Sequence, residues 1–494
     1  MRLTVESTGR LRWQDVYREV ELYKAAVRTY TKPLFQWRKA LNISADGKTL
    51  YDLAARGLRG LDQIHRALDS EQFRFRPSVG LKYNFNGKRR TLYIPPWEER
   101  IVDLLLYRVL NQRLHEWFSP NSYAYRDRTY GLDSCQSQIA RLLRSSRAPL
   151  YVVKRDISDY FASVNHAILL DQLAQHVEPD DYLFQLLEQR IRFVYQDETG
   201  THRAAIGIPF GCASACVFAN IYLTGLDRAM AAIPGVHYFR YADDLLLASL
   251  EREPALLARD VLARILGELK LGTKASHEAD LLLCSEGDEE PFFKAVAEFR
   301  HLGLLFHAGG EVSLSRDKRR KIQNLFRFGF RRKRRAWAKI RDVKERARTL
   351  AAIASDIIER GVRNVAIIDY YLKHVTDVSQ LRVLDRWLAE EVLSLVFGGH
   401  KKGHFRKLSF ATLRELGLPS LVHRQRLTIH GHTESSFFLW QRQKADRAFR
   451  GTVARPVRAA RPESGFSPCP EAAANHAGER GRLPVDGCDG ITCR

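Results

Sequence analysis

The chain has 494 residues, 45% of them hydrophobic, and a formal charge of +22 from 79 Lys and Arg against 57 Asp and Glu. That length allows two or three domains with proper hydrophobic cores, and the apolar content excludes wholesale disorder. So large a positive excess repels itself without a polyanion nearby, which makes nucleic acid the leading partner and an acidic membrane surface the alternative.

The opening MRLTVESTGRLRW has no apolar export core, and no later window approaches the ~18 apolar residues of a membrane span. A soluble, cytoplasmic protein with no membrane partner is expected. Seven cysteines without a CxxC pair indicate reduced thiols, neither a disulfide framework nor a zinc ribbon. Residues 1–60 carry apolar and aromatic residues at helical spacing, as in DVYREVELYKAAVRTYTKPL, and are expected to form a helical N-terminal extension. That extension suits either an RNA or subunit contact or a plain packed helical domain. From 61 to 310 helical and strand-like patterns alternate, with apolar runs LYVV at 150–153 and LLLAS at 245–249, which predicts a mixed α and β core. Residues 311–400 are expected to be helical and basic, and 401–450 helical. The stretch 451–494, rich in Pro, Gly, Ala and Arg, is expected to be a disordered tail.

Two segments carry chemistry. In HYFRYADDLLLAS two strand-like runs flank Asp243 and Asp244, which places two adjacent carboxylates at a tight hairpin turn. In LYVVKRDISDYF an apolar strand ends at Asp156 as the chain leaves for a helix. Adjacent carboxylates beside a buried strand repel each other unless a cation neutralises them, and hard oxygen donors suit Mg2+. Two such ions about 4 Å apart can activate a 3′-hydroxyl and stabilise a pyrophosphate leaving group, the chemistry of nucleotidyl transfer. Taken alone, Asp-Asp is equally the signature of a solvated turn.

The ordered set of motifs over residues 81–306 resembles the reverse transcriptase family. LKYNFNGKRRTLYIPPWEERIV looks like its first fingers motif, which implies that Lys82 and Arg90 approach the incoming triphosphate. SPNSYAYRDRTYGLDSC looks like the second, with Arg126 as its basic residue. VVKRDISDYFASVNHAILL is similar to the palm motif that supplies the first metal-binding Asp; the resemblance implies that Ile157 lends a carbonyl to a metal and Phe161 closes the sugar pocket against a 2′-hydroxyl. GIPFGCASACVFANIYL resembles the next motif, whose Gly207, Pro209 and Gly211 let a loop approach the template and nascent pair. Phe210 stands where the family usually has Gln, Ala215 where it has Ser, and Ser214 lies one position early. These departures fall on the template-contacting loop, with Phe210 and Gly211 at the nucleotide, and leave the metal site intact. LKLGTKA resembles the lysine motif, in which Lys274 protonates pyrophosphate; an ordinary surface lysine is the other reading. FRHLGLLF resembles the primer grip, and equally a plain buried strand.

The family resemblance implies an α+β right-hand polymerase with fingers, a palm of antiparallel sheet plus helices, and a helical thumb. It implies two Mg2+ ions, with Mn2+ as a substitute, and dNTPs, an RNA template and a DNA product as partners; a homo-oligomer stays open. ANIYL and RYADD lean towards the bacterial lineage related to group II intron proteins. No maturase or cysteine-paired nuclease pattern, retron Val-Thr-Gly signature or diversity-generating Ser-Gln signature is present, which leaves the group associated with defence against phage, sometimes with a noncoding RNA.

After the primer-grip-like segment, RDKRRKIQNLFRFGFRRKRRAWAKIRDVKERAR interleaves cations with Phe326, Phe328, Phe330 and Trp337. On a helix this exposes a cationic face and buries an aromatic one, with Arg331, Arg332, Lys333, Arg334 and Arg335 set against phosphates; a solvated charged helix is the other reading. His423, His430 and His432 have no Cys or acidic partner at ligand spacing, so zinc is not expected. Two rivals remain: a non-catalytic, maturase-like RNA-binding protein on a polymerase scaffold, and a polymerase that works without a template or starts on a protein hydroxyl.

Overall fold

Alternating apolar residues along neighbouring strands build the centre of the protein. The computed structural model describes residues 9–429, apart from 34–35, 86–87, 127–128, 147–148, 286–289 and 361–367. The expected tail, Cys469, Cys488, Cys493, His430 and His432 lie outside the described residues. In chain order the strands are β1 Ser78–Phe85, β2 Lys88–Ile94, β3 Leu150–Asp156, β4 Val194–Asp197, β5 Gly200–Arg203, β6 Val236–Tyr241 and β7 Asp244–Ser249, then β8 Ala279–Leu283, β9 Lys294–Val296, β10 Glu298–His301, β11 Leu304–His307 and β12 Val312–Leu314.

A five-stranded sheet runs in the order β6-β7-β3-β8-β9, antiparallel except for the parallel pair β8–β9 at its edge. Side chains alternate across it: Val153, Leu245 and Leu247 enter one core, Val152, Leu246 and Ala248 a second. The first core is completed by helices Trp97–Arg113, Ser214–Ala231 and Arg252–Glu268. It also takes Leu22 and Ala25 from helix Glu19–Thr31, and Ile64 and Leu68 from helix Leu50–Asp69. The N-terminal helices therefore pack into the core of the sheet. Helix Leu50–Asp69 runs straight through residue 60, bending at Gly57, whose φ of 54° a side chain would resist.

The second core lies under helix Leu132–Ser145 and the three-stranded sheet β10-β11-β12, and extends into the basic C-terminal helices. Helix Arg316–Arg332 buries Ile322, Phe326 and Phe330, spaced by four, as one apolar stripe. Phe328 falls off that stripe and is 40% exposed, unlike the fully buried aromatic face expected. The cationic run also departs from expectation: the helix ends at Arg332 and a new one starts at Arg334, so Arg331 to Arg335 straddle a break. Leu413, Leu418 and Leu421 share this core with Leu350 and Leu388, so the described part of the region after residue 400 packs with the basic helices. Among the described residues no helix is long and apolar enough to cross a membrane.

Candidate active site

Strand register brings the three carboxylates together. β3 and β7 pair with Asp156 opposite Asp244, and β6 and β7 with Tyr241 opposite Asp244, leaving Ala242 and Asp243 as a two-residue turn. Ala242 takes a φ of 59°, the left-handed conformation such a turn demands of its first residue. Main-chain bonds fasten the neighbouring segments: the Ile157 amide donates to the Asp243 carbonyl at 3.0 Å, and the Lys274 amide to the Asp156 carbonyl at 2.9 Å.

The turn is braced from behind. Arg240 is wholly buried, and its guanidinium donates to both carboxylate oxygens of Asp227 at 2.6 Å, to Ser122 Oγ at 2.7 Å, to Asn220 Oδ1 at 3.2 Å and to the Ala242 carbonyl at 3.3 Å. Tyr238 Oη adds a bond to Asp227 at 2.9 Å. Residues from three sequence motifs thus meet in one buried network under the left-handed Ala242. Sequence reasoning missed it. The available signal was an Arg, an Asn and an Asp standing inside otherwise apolar runs, where an unpaired polar group would be costly.

In front of the turn the electrostatics are unfavourable. Burial, then the neighbouring Asp156, pushes the Asp243 carboxyl above its ordinary range, against the pull of Lys274 and Arg90. Burial raises Asp244 to about 7, with Asp156 and Asp243 adding to the rise against Lys154 and His277. Asp156 is also raised by burial, but hydrogen bonds from Lys274 and His277 outweigh this and hold it below the usual range. The Lys274 ammonium bonds Asp156 Oδ1, lies 3.0 Å from the Ile157 carbonyl and 3.8 Å from Asp243 Oδ2. It sits among the oxygens expected to hold a metal. His277 Nδ1, which the sequence did not single out, is 2.7 Å from Asp156 Oδ2.

Among the described residues no three His, Cys, Asp or Glu side chains converge closely enough to cage an ion alone. The donor set still fits Mg2+: carboxylates and a carbonyl, all hard oxygens, already gathered round one cation. Mg2+ commonly keeps waters and substrate phosphates in its shell, so a partial protein set suffices. Asp156, Asp243, Asp244 and the Ile157 carbonyl are the groups that would hold it.

Beside the carboxylates, Phe161 meets Phe210 edge to face with centroids 5.7 Å apart, and Tyr125 at 6.1 Å. Arg90 lies 5.4 Å over the Phe210 ring. Gly207 and Gly211, with φ of 85° and 106°, carry the intervening loop against other backbone: a Cβ on Gly207 would meet the Ala162 carbonyl at 3.0 Å, and one on Gly211 would meet Leu92 at 2.5 Å. The Tyr93 amide donates to the Phe210 carbonyl at 2.9 Å, tying β2 to this loop.

Two expectations need correction. Lys82 is opposite Thr91 and Arg90 opposite Tyr83, so the alternation of the β1–β2 ribbon puts Lys82 and Arg90 on opposite faces. Arg90 and Leu92 face the glycine loop; Lys82 does not share that face. Arg126 is 6% exposed, its guanidinium donating to the carbonyls of His115, Ser119 and Ser122 and stacking 3.6 Å over Tyr130. It orders its own loop and does not stand open to a triphosphate. Ser214, one position early for the family's serine, bonds Asp103, which also accepts from the Ala213 amide at 2.6 Å and pairs with buried Arg190 at 3.0 Å.

FRHLGLLF forms the β10–β11 hairpin, not a single strand. Arg331, Arg332, Lys333, Arg334 and Arg335 are all exposed, and Lys333 pairs with Asp356. His423, the described member of the histidine cluster, lies in helix Leu421–Ile429.

Residues 81–278 match the family model described as reverse transcriptase (RNA-dependent DNA polymerase). A curated relative, an uncharacterised 91 kDa protein in cob intron of Schizosaccharomyces pombe, is 26% identical over 169 residues. That alignment covers 34% of this chain and 20% of the relative, so the chain matches only about a fifth of that protein's length. Similar solved structures include telomerase from Candida albicans in complex with a TWJ fragment of telomeric RNA, 9% identical, covering 75% of this chain and 66% of that one at a TM-score of 0.42. Another is apo telomerase from Candida tropicalis truncated from its C-terminal domain, 11% identical, covering 49% and 55% at a TM-score of 0.39. The match to the reverse transcriptase model, over residues 81–278, and the clustered carboxylates fall on the same stretch of chain.

Proposed function

We propose that this protein is an RNA-directed DNA polymerase whose metal site is Asp156, Asp243, Asp244 and the Ile157 carbonyl. The observation that carries it is the cross-strand register that gathers three like charges in a segment matching the reverse transcriptase model. Holding ionised carboxylates together against burial serves no structural end in a basic protein, and suits a site completed by metal and triphosphate. When bound, two Mg2+ ions supply activation of the primer 3′-hydroxyl and neutralisation of the leaving pyrophosphate. The chain itself contributes positioning: Arg90 and Phe210 line the nucleotide side, Phe161 crowds the sugar 2′ position, and the Ala242 turn fixes Asp243. Lys274, already at the carboxylates, is placed to hold and deliver a proton to pyrophosphate.

The template is RNA, and the exposed cations from Arg331 to Arg335 meet its backbone or that of the growing duplex. ANIYL, RYADD and the likeness to a cob intron protein support descent from the group II intron lineage. Within it we place the chain with the cytoplasmic bacterial enzymes that defend against phage using a noncoding RNA.

Primer extension on an RNA template with Mg2+ and either dNTPs or NTPs tests this, beside an Asp243→Ala, Asp244→Ala double variant and Phe161→Ala. DNA from wild type alone, with NTP use gained by Phe161→Ala, is the expected result. Product made without a template, or covalently attached to the protein, replaces the templated reading. Equal silence from wild type and the double variant, with RNA binding intact, replaces it with a non-catalytic RNA-binding protein.

A further inference from the structure

His301, in the β10–β11 hairpin, is 0% exposed, and neither ring nitrogen has a hydrogen-bond partner. Its Nδ1 lies 3.4 Å from Asp244 Oδ1, which is itself buried and without a hydrogen bond. Two buried polar atoms facing each other without other partners are costly unless they serve one another. The hairpin is clamped on both sides of the histidine: Lys154 Nζ donates to the Arg300 carbonyl at 3.1 Å, and Gln136 Nε2 to the Leu302 carbonyl at 2.9 Å. Leu302 and Gly303 form its turn with φ of 49° and 84°. The ring has little freedom to swing away.

We propose that His301 is a positioning residue for the metal site, its Nδ1–H donating to Asp244 Oδ1 so that Oδ2 is presented to the cation. The inference rests on the metal-site reading above and extends it to a residue no motif assigned. An imidazole N–H aimed at one carboxylate oxygen orients the group and leaves the other oxygen for the cation, as outer-sphere partners of metal ligands do elsewhere. The same bond makes the primer-side hairpin and the catalytic strand one mechanical unit, so displacement of the hairpin loosens Asp244.

The test is Mn2+ binding to the purified full chain, followed by the electron paramagnetic resonance of free Mn2+, for wild type, His301→Phe and His301→Gln. Primer extension is titrated with Mg2+ in parallel. Loss of an outer-sphere partner typically weakens metal affinity by about 10–100-fold. His301→Phe, which keeps the ring volume, is expected to weaken Mn2+ binding by at least about tenfold and to raise the Mg2+ requirement in proportion. His301→Gln, which restores an N–H donor, is expected to recover part of both. A purely structural histidine would lower the melting temperature of both variants and leave the metal titrations where they are, which overturns the proposal. Wild type that binds no Mn2+ overturns the metal-site reading and this one together. Wild type that binds Mn2+ but extends no primer removes only the polymerase reading, and the binding series then decides His301 by itself.

Discussion

The two sides of the Ala242–Asp243 turn are built on opposite principles. Behind it, Asp227 and Arg240 are wholly buried, bonded to each other twice and to Tyr238, Ser122 and Asn220 besides. In front, Asp243 and Asp244 sit close to Asp156 with their carboxyls pushed up by burial. A satisfied ionic network holds the turn from behind, and a carboxylate cluster that burial disfavours lies in front of it.

Breaking the back should have the largest effect. Asp227→Ala leaves the Arg240 guanidinium buried and unpaired, a change that typically costs about 3–5 kcal/mol; chemical denaturation should record a loss of that size, with polymerisation lost alongside. Breaking the front should have the reverse sign for stability. Asp244→Asn is expected to abolish primer extension yet raise the metal-free melting temperature by a few degrees at pH 8. The sign follows from the raised folded pKa: the ionised carboxylate costs stability in full above about 7. That cost fades as pH falls towards the unfolded value of about 3.9. The gain from Asn should therefore shrink over that window, and an equal gain at pH 4 would contradict the electrostatic account.

A smaller effect belongs to a third place, where helix Leu132–Ser145 meets the chain just after helix Ile368–Leu372. Asp133 accepts from His374 Nε2 and Lys373 Nζ, each at 2.5 Å. Burial raises its carboxyl, but these two bonds outweigh burial and bring it to about 2. A depressed carboxylate stabilises above its unfolded pKa of about 3.9, and that stabilisation is lost as pH falls through the folded value. Wild type should exceed Asp133→Asn by a constant margin above pH 4, and the two denaturation curves should converge towards pH 2.

The carboxylate site was legible in the sequence because its signals are local. A strand that ends in Asp and a two-residue turn between apolar runs specify their own geometry, and register does the rest. Lys82 was misplaced because which face a strand residue occupies depends on pairing across the ribbon, and a one-residue difference reverses it. Arg126 was misjudged for another reason: its guanidinium is taken up by main-chain carbonyls of its own loop, which a motif does not reveal. His301 was not singled out because FRHLGLLF reads as a primer grip or a plain buried strand, and nothing in that run shows that its histidine faces Asp244, far away in sequence. The break at Lys333 also escaped notice, since a run of cations gives no stop signal of the usual glycine or proline kind.

The main-chain bonds that join Ile157 to Asp243 and Lys274 to Asp156 involve no side-chain atom of any catalytic residue. Substituting those side chains therefore leaves the seam between the segments closed. A chain disarmed in this way keeps its cationic surface, so under the proposed function it competes with active copies for the same RNA, and its abundance relative to them sets the yield of product.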